Sequence, residues 1–142
     1  MSRHLGDDWV LPGLDELNRP FFTAGSLTLQ QCRACQHVQH PPEEVCEACQ
    51  GFELGWFESA GAGRVESAVV VHHAVHPGLK DLVPYVVVLV SVDDAPGVMI
   101  TGNVLNRPPD EVAIGDRVRV TFEEAVDPAT NEGLRIPQWE VI

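Results

Sequence analysis

Four cysteines carry the clearest chemical signal in this chain. They form two C-x2-C pairs, Cys32 with Cys35 and Cys46 with Cys49, with ten residues between the pairs and no cysteine left over. Two intervening residues let the backbone turn back and aim both sulfurs at one point. Two such knuckles supply four thiolates for a tetrahedral metal site, the donor set of structural zinc. Rubredoxin-type iron accepts the same donors, and spacing does not separate the two metals. Disulfides would need an oxidising compartment, yet Asp7 and Asp8 stand where a signal peptide has its apolar core. His37 and His40 lie between the knuckles and read as surface residues of that loop.

Four thiolates close the coordination sphere, whereas catalytic zinc keeps an open position. The expected cofactor is therefore structural Zn2+, and a closed site holds a fold without activating water. Nucleophile chemistry is thin elsewhere. There is no G-x-S-x-G and no phosphate-cradling glycine loop. The single tyrosine, Tyr85, heads an apolar strand. His72, His73 and His76 cluster after the first strand of the second half. Neighbours in a strand face opposite ways, so His73 and His76 are the pair able to meet, across the turn at Pro77-Gly78. With the loop cations Lys80 and Arg107 they are expected to form the wall of a ligand channel.

The elements that must position these residues fall into three stretches. Residues 1–26 read as an N-terminal helical arm, with Asp15 as a cap and Pro20 limiting the helix. Trp9, Phe21 and Phe22 on that arm need a surface to cover, either in this chain or on a partner. Residues 27–57 hold the knuckles. Residues 58–142 are valine-rich, with strands expected at 64–73, 85–92, 98–105, 117–123 and 137–142. Within 117–123, Val118, Val120 and Phe122 point one way and Arg117, Arg119 and Thr121 the other. Five antiparallel strands in so short a stretch suit a small closed barrel, which leaves no exposed edge. The fold class is mostly β, with a five-stranded OB-fold barrel at the C-terminal end.

Length and charge bound the partners. The chain has 142 residues, 9 basic and 21 acidic, for a formal charge of −12. The acid excess is present in both halves, which argues against tracking a phosphate backbone. No apolar run approaches the ~20 residues of a membrane span. A soluble, cytoplasmic protein is expected, without nucleic-acid or membrane partners.

The order of features resembles a known family. The stretches PFFTAGSLTLQQCRACQHVQHPPEEVCEAC, WFESAGAGRVESAVVVHH, PYVVVLVSVD and IGDRVRVTF are similar to the DUF35 family of rubredoxin-like zinc ribbons joined to OB-folds. The resemblance implies an accessory role in acyl-CoA metabolism. Family members associate with thiolase-superfamily enzymes, including a thiolase-like retro-aldolase of bacterial steroid side-chain degradation. A non-catalytic subunit is then expected here, in a heterotetramer of two plus two chains, with acyl-CoA as a second ligand. An unfused chain favours a separate small subunit. The competing reading is a zinc-ribbon/OB nucleic-acid module, since both parts occur in such proteins. Few aromatics interleave with basic residues in these strands, as that reading requires.

Overall fold

The computed structural model describes residues 4–6 and 9–142. The cysteine-bearing part is a three-stranded antiparallel sheet of β1 (Thr28–Cys32), β2 (Val38–Gln39) and β3 (Leu54–Glu58), in the order β2-β1-β3. Leu29 stands opposite Phe57 on the face turned to the core, and Cys32 opposite Leu54. Leu27 and Leu29 are essentially inaccessible. Each such leucine contributes about 1.5–3 kcal/mol when removed from water.

The second part is a sheet of β4 (Ala62–Val71), β5 (Tyr85–Val92), β6 (Met99–Gly102), β7 (Arg117–Val126) and β8 (Gly133–Val141), in the order β6-β5-β4-β7-β8. The circuit is closed by the segment after β6. Val104 pairs in parallel with Trp139, the Leu105 amide donates to the Trp139 carbonyl, and the Trp139 amide donates to Asn103. This is the expected OB-type barrel. Gly63 sits where β4 is flanked by both β5 and β7. A Cβ there would stand 2.5 Å from a Val90 methyl and 2.6 Å from the Ser91 carbonyl, so only glycine lets the strands approach.

One apolar core joins the parts. It contains Phe21 from the arm, Leu27 and Leu29 from the ribbon, and Val65, Val88, Val90, Val118 and Trp139 from the barrel.

Several strand limits differ from the sequence reading. β4 ends at Val71, so His72 and His73 lie in the following loop. β6 is shorter than expected because the chain leaves the antiparallel ladder at Asn103 to meet Trp139. β8 begins at Gly133 and runs through Pro137. Pro137 is tolerated because β8 pairs only with β7 there, and a missing N–H on an open edge removes no ladder bond.

The arm's helix, α1 (Arg19–Thr23), has Asn18 at its N-cap position with no side-chain capping bond, so the expected cap residue, Asp15, lies one turn before the helix. Asp15 and Asn18 instead exchange side-chain bonds to each other's amides, at 2.9 and 2.8 Å. Pro20 at the first turn then fits, since that position needs no N–H donor.

Candidate metal centre

The two knuckles are built on one template. In each, the residue after the second cysteine donates its amide to the first cysteine's carbonyl at 2.9 Å: Gln36 to Cys32, and Gln50 to Cys46. In each, the amide of that first cysteine donates to the residue beyond, Cys32 to His37 and Cys46 to Gly51, again at 2.9 Å. The turn needs a left-handed residue, and glutamine fills it twice, with φ of 69° at Gln36 and 61° at Gln50. L-residues avoid this region. Each glutamine side chain ties back locally at 3.1 Å, to the Arg33 carbonyl and the Glu47 carbonyl respectively. The repeated C-x-A-C-Q string was the available sequence signal for this duplication.

The four Sγ atoms lie within 4.8 Å of one another. Cys32 stands 3.7 Å from Cys49, and Cys35 3.6 Å from Cys46. A tetrahedron with Zn–S bonds near 2.3 Å has edges of about 3.8 Å, so the donor set fits a four-coordinate zinc or iron ion. None of the four cysteines is in a disulfide. Cys32 and Cys46 are buried, whereas Cys35 and Cys49 reach the surface.

Backbone amides prepare the sulfurs for charge. The Cys35 amide leads in holding the Cys32 thiol down, to about 7. The Gly51 amide favours the Cys49 thiolate, but the neighbouring Cys32 and Cys35 sulfurs push that thiol up to about 12. Cys32 thus gives up its proton readily, whereas Cys49 holds its own until a cation compensates the charge.

Behind the cluster, two buried glutamines set the position of the second knuckle. Gln39 donates to the Gln30 side-chain oxygen at 2.7 Å and to the Val45 carbonyl at 3.1 Å, and it accepts the Glu47 amide at 2.9 Å. Gln30 accepts the Glu43 amide and donates to the Glu43 carbonyl. The loop from Glu43 to Glu47 is thereby fixed to β1 and β2. Outside the cluster, His37 bridges the knuckles through Nε2 to Glu47 at 2.7 Å. His40 is not the surface residue the loop position suggested. Its ring packs 4.6 Å from Phe21, its Nδ1 is buried without a partner, and burial lowers its pKa.

A second buried polar set, which residue types alone do not reveal, anchors the arm. Glu123, 2 % exposed, accepts the amides of His4 and Leu5 and the Gln138 amide group, at 2.6, 3.0 and 2.6 Å. Gln138 in turn accepts the Asn103 amide, which links the arm to the barrel's closing segment. Trp9 meets the His76 ring edge-on at 4.8 Å. Phe21 is buried in the chain's own core and packs against Phe22, which remains half-buried. Of the expected channel residues, His76 caps a short 3-10 turn over Pro77–Leu79 by accepting the Gly78 amide, and Lys80 ends that turn. His73 and Arg107 are exposed on separate loops. None of these four lines the groove of about 760 Å3 between the arm and the β7–β8 turn, where Trp9, Leu11, Val126 and Leu134 form apolar walls beside Arg135.

Paired cysteine knuckles packed on a five-stranded barrel define a class: a rubredoxin-like zinc ribbon joined to an OB-fold. Comparison with known proteins agrees. The pattern described as the ChsH2 rubredoxin-like zinc ribbon domain matches residues 23–55, and that of the ChsH2 C-terminal OB-fold domain matches residues 56–123. The chain belongs to the DUF35 (ChsH2) family. It is 36% identical over 134 residues to a probable enoyl-CoA hydratase alpha subunit of Thermomonospora curvata, covering 91% of this chain and 41% of that protein. It is thus similar to less than half of that relative's length. It is 30% identical to a DUF35 domain-containing scaffold protein of Methanothermobacter thermautotrophicus, over 78% of this chain and 84% of the relative. Among solved structures, a chain of the Ltp2-ChsH2(DUF35) aldolase superposes with a TM-score of 0.77 at 33% identity, covering 92% of this chain and 98% of that one.

Proposed function

We propose that this chain is a non-catalytic scaffold subunit that docks on a thiolase-superfamily enzyme acting on acyl-CoA thioesters and supports its activity. The observation that carries the reading is the match to almost the whole of a DUF35 chain from an aldolase assembly. Relatives named DUF35 domain-containing scaffold proteins support it, and one named a probable enoyl-CoA hydratase alpha subunit supports the link to CoA thioesters. Steroid-derived thioesters are the favoured substrate class. A relative from Mycobacterium tuberculosis is named as a subunit of a 3-oxo-4,17-pregnadiene-20-carboxyl-CoA hydratase, with 33% identity over 90 residues.

In this reading Cys32, Cys35, Cys46 and Cys49 hold a structural Zn2+, and residues 27–57 and 58–142 act as ribbon and barrel behind the arm of residues 1–26. The assembly is two plus two chains. The buried carboxylate Glu123 is taken up by arm amides and Gln138, which suits positioning and not proton transfer. Trp9 and half-buried Phe22 are the arm's aromatic contacts for the partner. His73, His76, Lys80 and Arg107 are the side chains set to border a channel shared with the partner, where acyl-CoA passes.

The test is co-expression with a thiolase-superfamily enzyme of the same organism. The pair is expected to co-purify and to turn over a β-hydroxyacyl-CoA, with the scaffold inert alone. An enzyme whose rate and stability ignore the added chain would end this reading.

A further inference from the structure

The outer face of the β4-β5-β6 sheet is apolar where an ordinary barrel would be polar. Along β5, Val86, Val88, Val90 and Val92 point into the core and are buried. The alternate residues face away from it, and in a strand with one wet face they should be polar. Here they include Val87 and Leu89, both half-buried. Register extends the patch sideways. Val69, 59% exposed, stands opposite Val87, and Ser67 opposite Leu89. On the other flank, Met99, 46% exposed, stands opposite Ser91. Cross-strand partners lie on the same face, so these side chains form one surface. Val69, Val87, Leu89 and Met99 are all absent from the residues that pack on the hydrophobic core.

The same region offers backbone. β4 pairs with β7 only at Ala62, Gly63 and Arg64. From Ser67 to Val71 it pairs with β5 alone. Among the described residues, no other backbone group bonds to its free side. Ser67–Val71 reads S-A-V-V-V, without the charge or proline that natural edges use to discourage pairing.

We propose that this face and edge are the seat of the partner enzyme, which lays an extended, apolar and non-acidic segment beside Ser67–Val71 and covers Val69, Val87 and Met99. Strand addition supplies main-chain bonds along the edge, and the valine face supplies apolar burial. The charge argues for a different polypeptide over a second copy of this chain. At −12, two copies repel one another, and high net charge keeps chains monomeric. Beside Met99, Arg64 stands opposite Ser91, Glu66 accepts the Ser91 hydroxyl, and the two charges pair with one another; the face carries no net charge, so a neutral or basic partner surface meets no opposing field. The proposal rests on the scaffold reading above.

The test uses the full metal-loaded chain and a co-expressed thiolase-superfamily enzyme. Val69→Lys and Met99→Lys are compared with wild type and with Phe52→Lys, a substitution at an exposed apolar residue of the ribbon. All three variants should melt as wild type does. The first two should weaken the complex by about 30-fold or more, as loss of a central contact does, and Phe52→Lys should not. Amides of Ser67–Val71 should exchange with deuterium more slowly in the complex. Wild-type affinity for the Val69 and Met99 variants overturns this inference and leaves the scaffold reading standing. Equal weakening by Phe52→Lys also overturns it. A wild-type chain that binds no such enzyme removes both. A concentration-dependent homodimer broken by Val69→Lys assigns the face to a second copy instead.

Discussion

Replacing Gln39 by leucine tests whether buried glutamines hold the metal site in shape. The side chain is 2% exposed, and leucine preserves its bulk but none of its three hydrogen bonds. The Glu47 amide and the Val45 carbonyl are then left without partners. A buried group so stranded costs about 1–3 kcal/mol. Val45 is half-buried and Glu47 exposed, so water reaches part of the gap and the lower end of that range applies to each. The sum is about 2–3 kcal/mol. Because Cys46 and Cys49 flank Glu47, most of it falls on the metal-bound arrangement. At 1.4 kcal/mol per tenfold change, metal affinity should drop by about 30- to 100-fold, the range seen when groups behind a metal ligand are removed. The assay is competition with a chromophoric chelator, read beside thermal unfolding with metal in excess. Gln31→Ala serves as control, since its bond to the Gln36 carbonyl is exposed and its loss should cost no more than about 0.5 kcal/mol. Metal retention by Gln39→Leu equal to that of Gln31→Ala would show that the buried glutamines do not hold the site.

Three further outcomes are expected. Gly63→Val should abolish the folded barrel, since its side chain collides with Val90 and the Ser91 backbone; a cooperative melt near that of wild type would contradict the packing. Glu123→Leu should release the arm while the barrel stays folded, seen as faster proteolysis before residue 20; an arm as resistant as in wild type would show that the amide bonds of His4 and Leu5 do not hold it. The third concerns pH. Burial lowers the His40 pKa below the ordinary histidine value of 6.5, so the unfolded chain binds this proton more readily than the fold does. Its stabilising contribution is complete above about pH 6.5 and is lost as pH falls through the lower folded value. His40→Phe keeps a ring against Phe21 and removes the proton, so the melting temperature of wild type should decline more steeply than that of the variant between pH 6.5 and 5. Parallel declines would assign the acid sensitivity elsewhere.

The metal site was readable from sequence because its geometry is local. Two residues between cysteines dictate each knuckle, and only the meeting of the two knuckles is a tertiary fact. The barrel strands were readable from period-two patterning, yet their ends were not. Pro137 looked like a strand start because proline lacks an amide, and only the pairing shows that β8 needs no donor there. Asp15 was expected as the helix cap and does accept an amide three residues on, but in the turn before α1, because residue type does not reveal where the helix starts. The polar residues that tie the parts together were invisible for a different reason. Gln30, Gln39, Glu123 and Gln138 are ordinary surface residue types, buried here by partners far away in sequence. The strand headed by Tyr85 read as apolar, and the structure buries one of its faces and leaves the other half uncovered. The pattern reported apolar character correctly but not which face the chain itself covers.

On the scaffold reading, a metal-stiffened platform supports chemistry performed by another polypeptide. The most direct measurement is β-hydroxyacyl-CoA turnover, followed by release of the cleaved acyl-CoA, for this chain alone, for a thiolase-superfamily enzyme alone and for their purified complex. No turnover by this chain and full activity only in the complex is the predicted result. Turnover of the thioester by this chain on its own would contradict it.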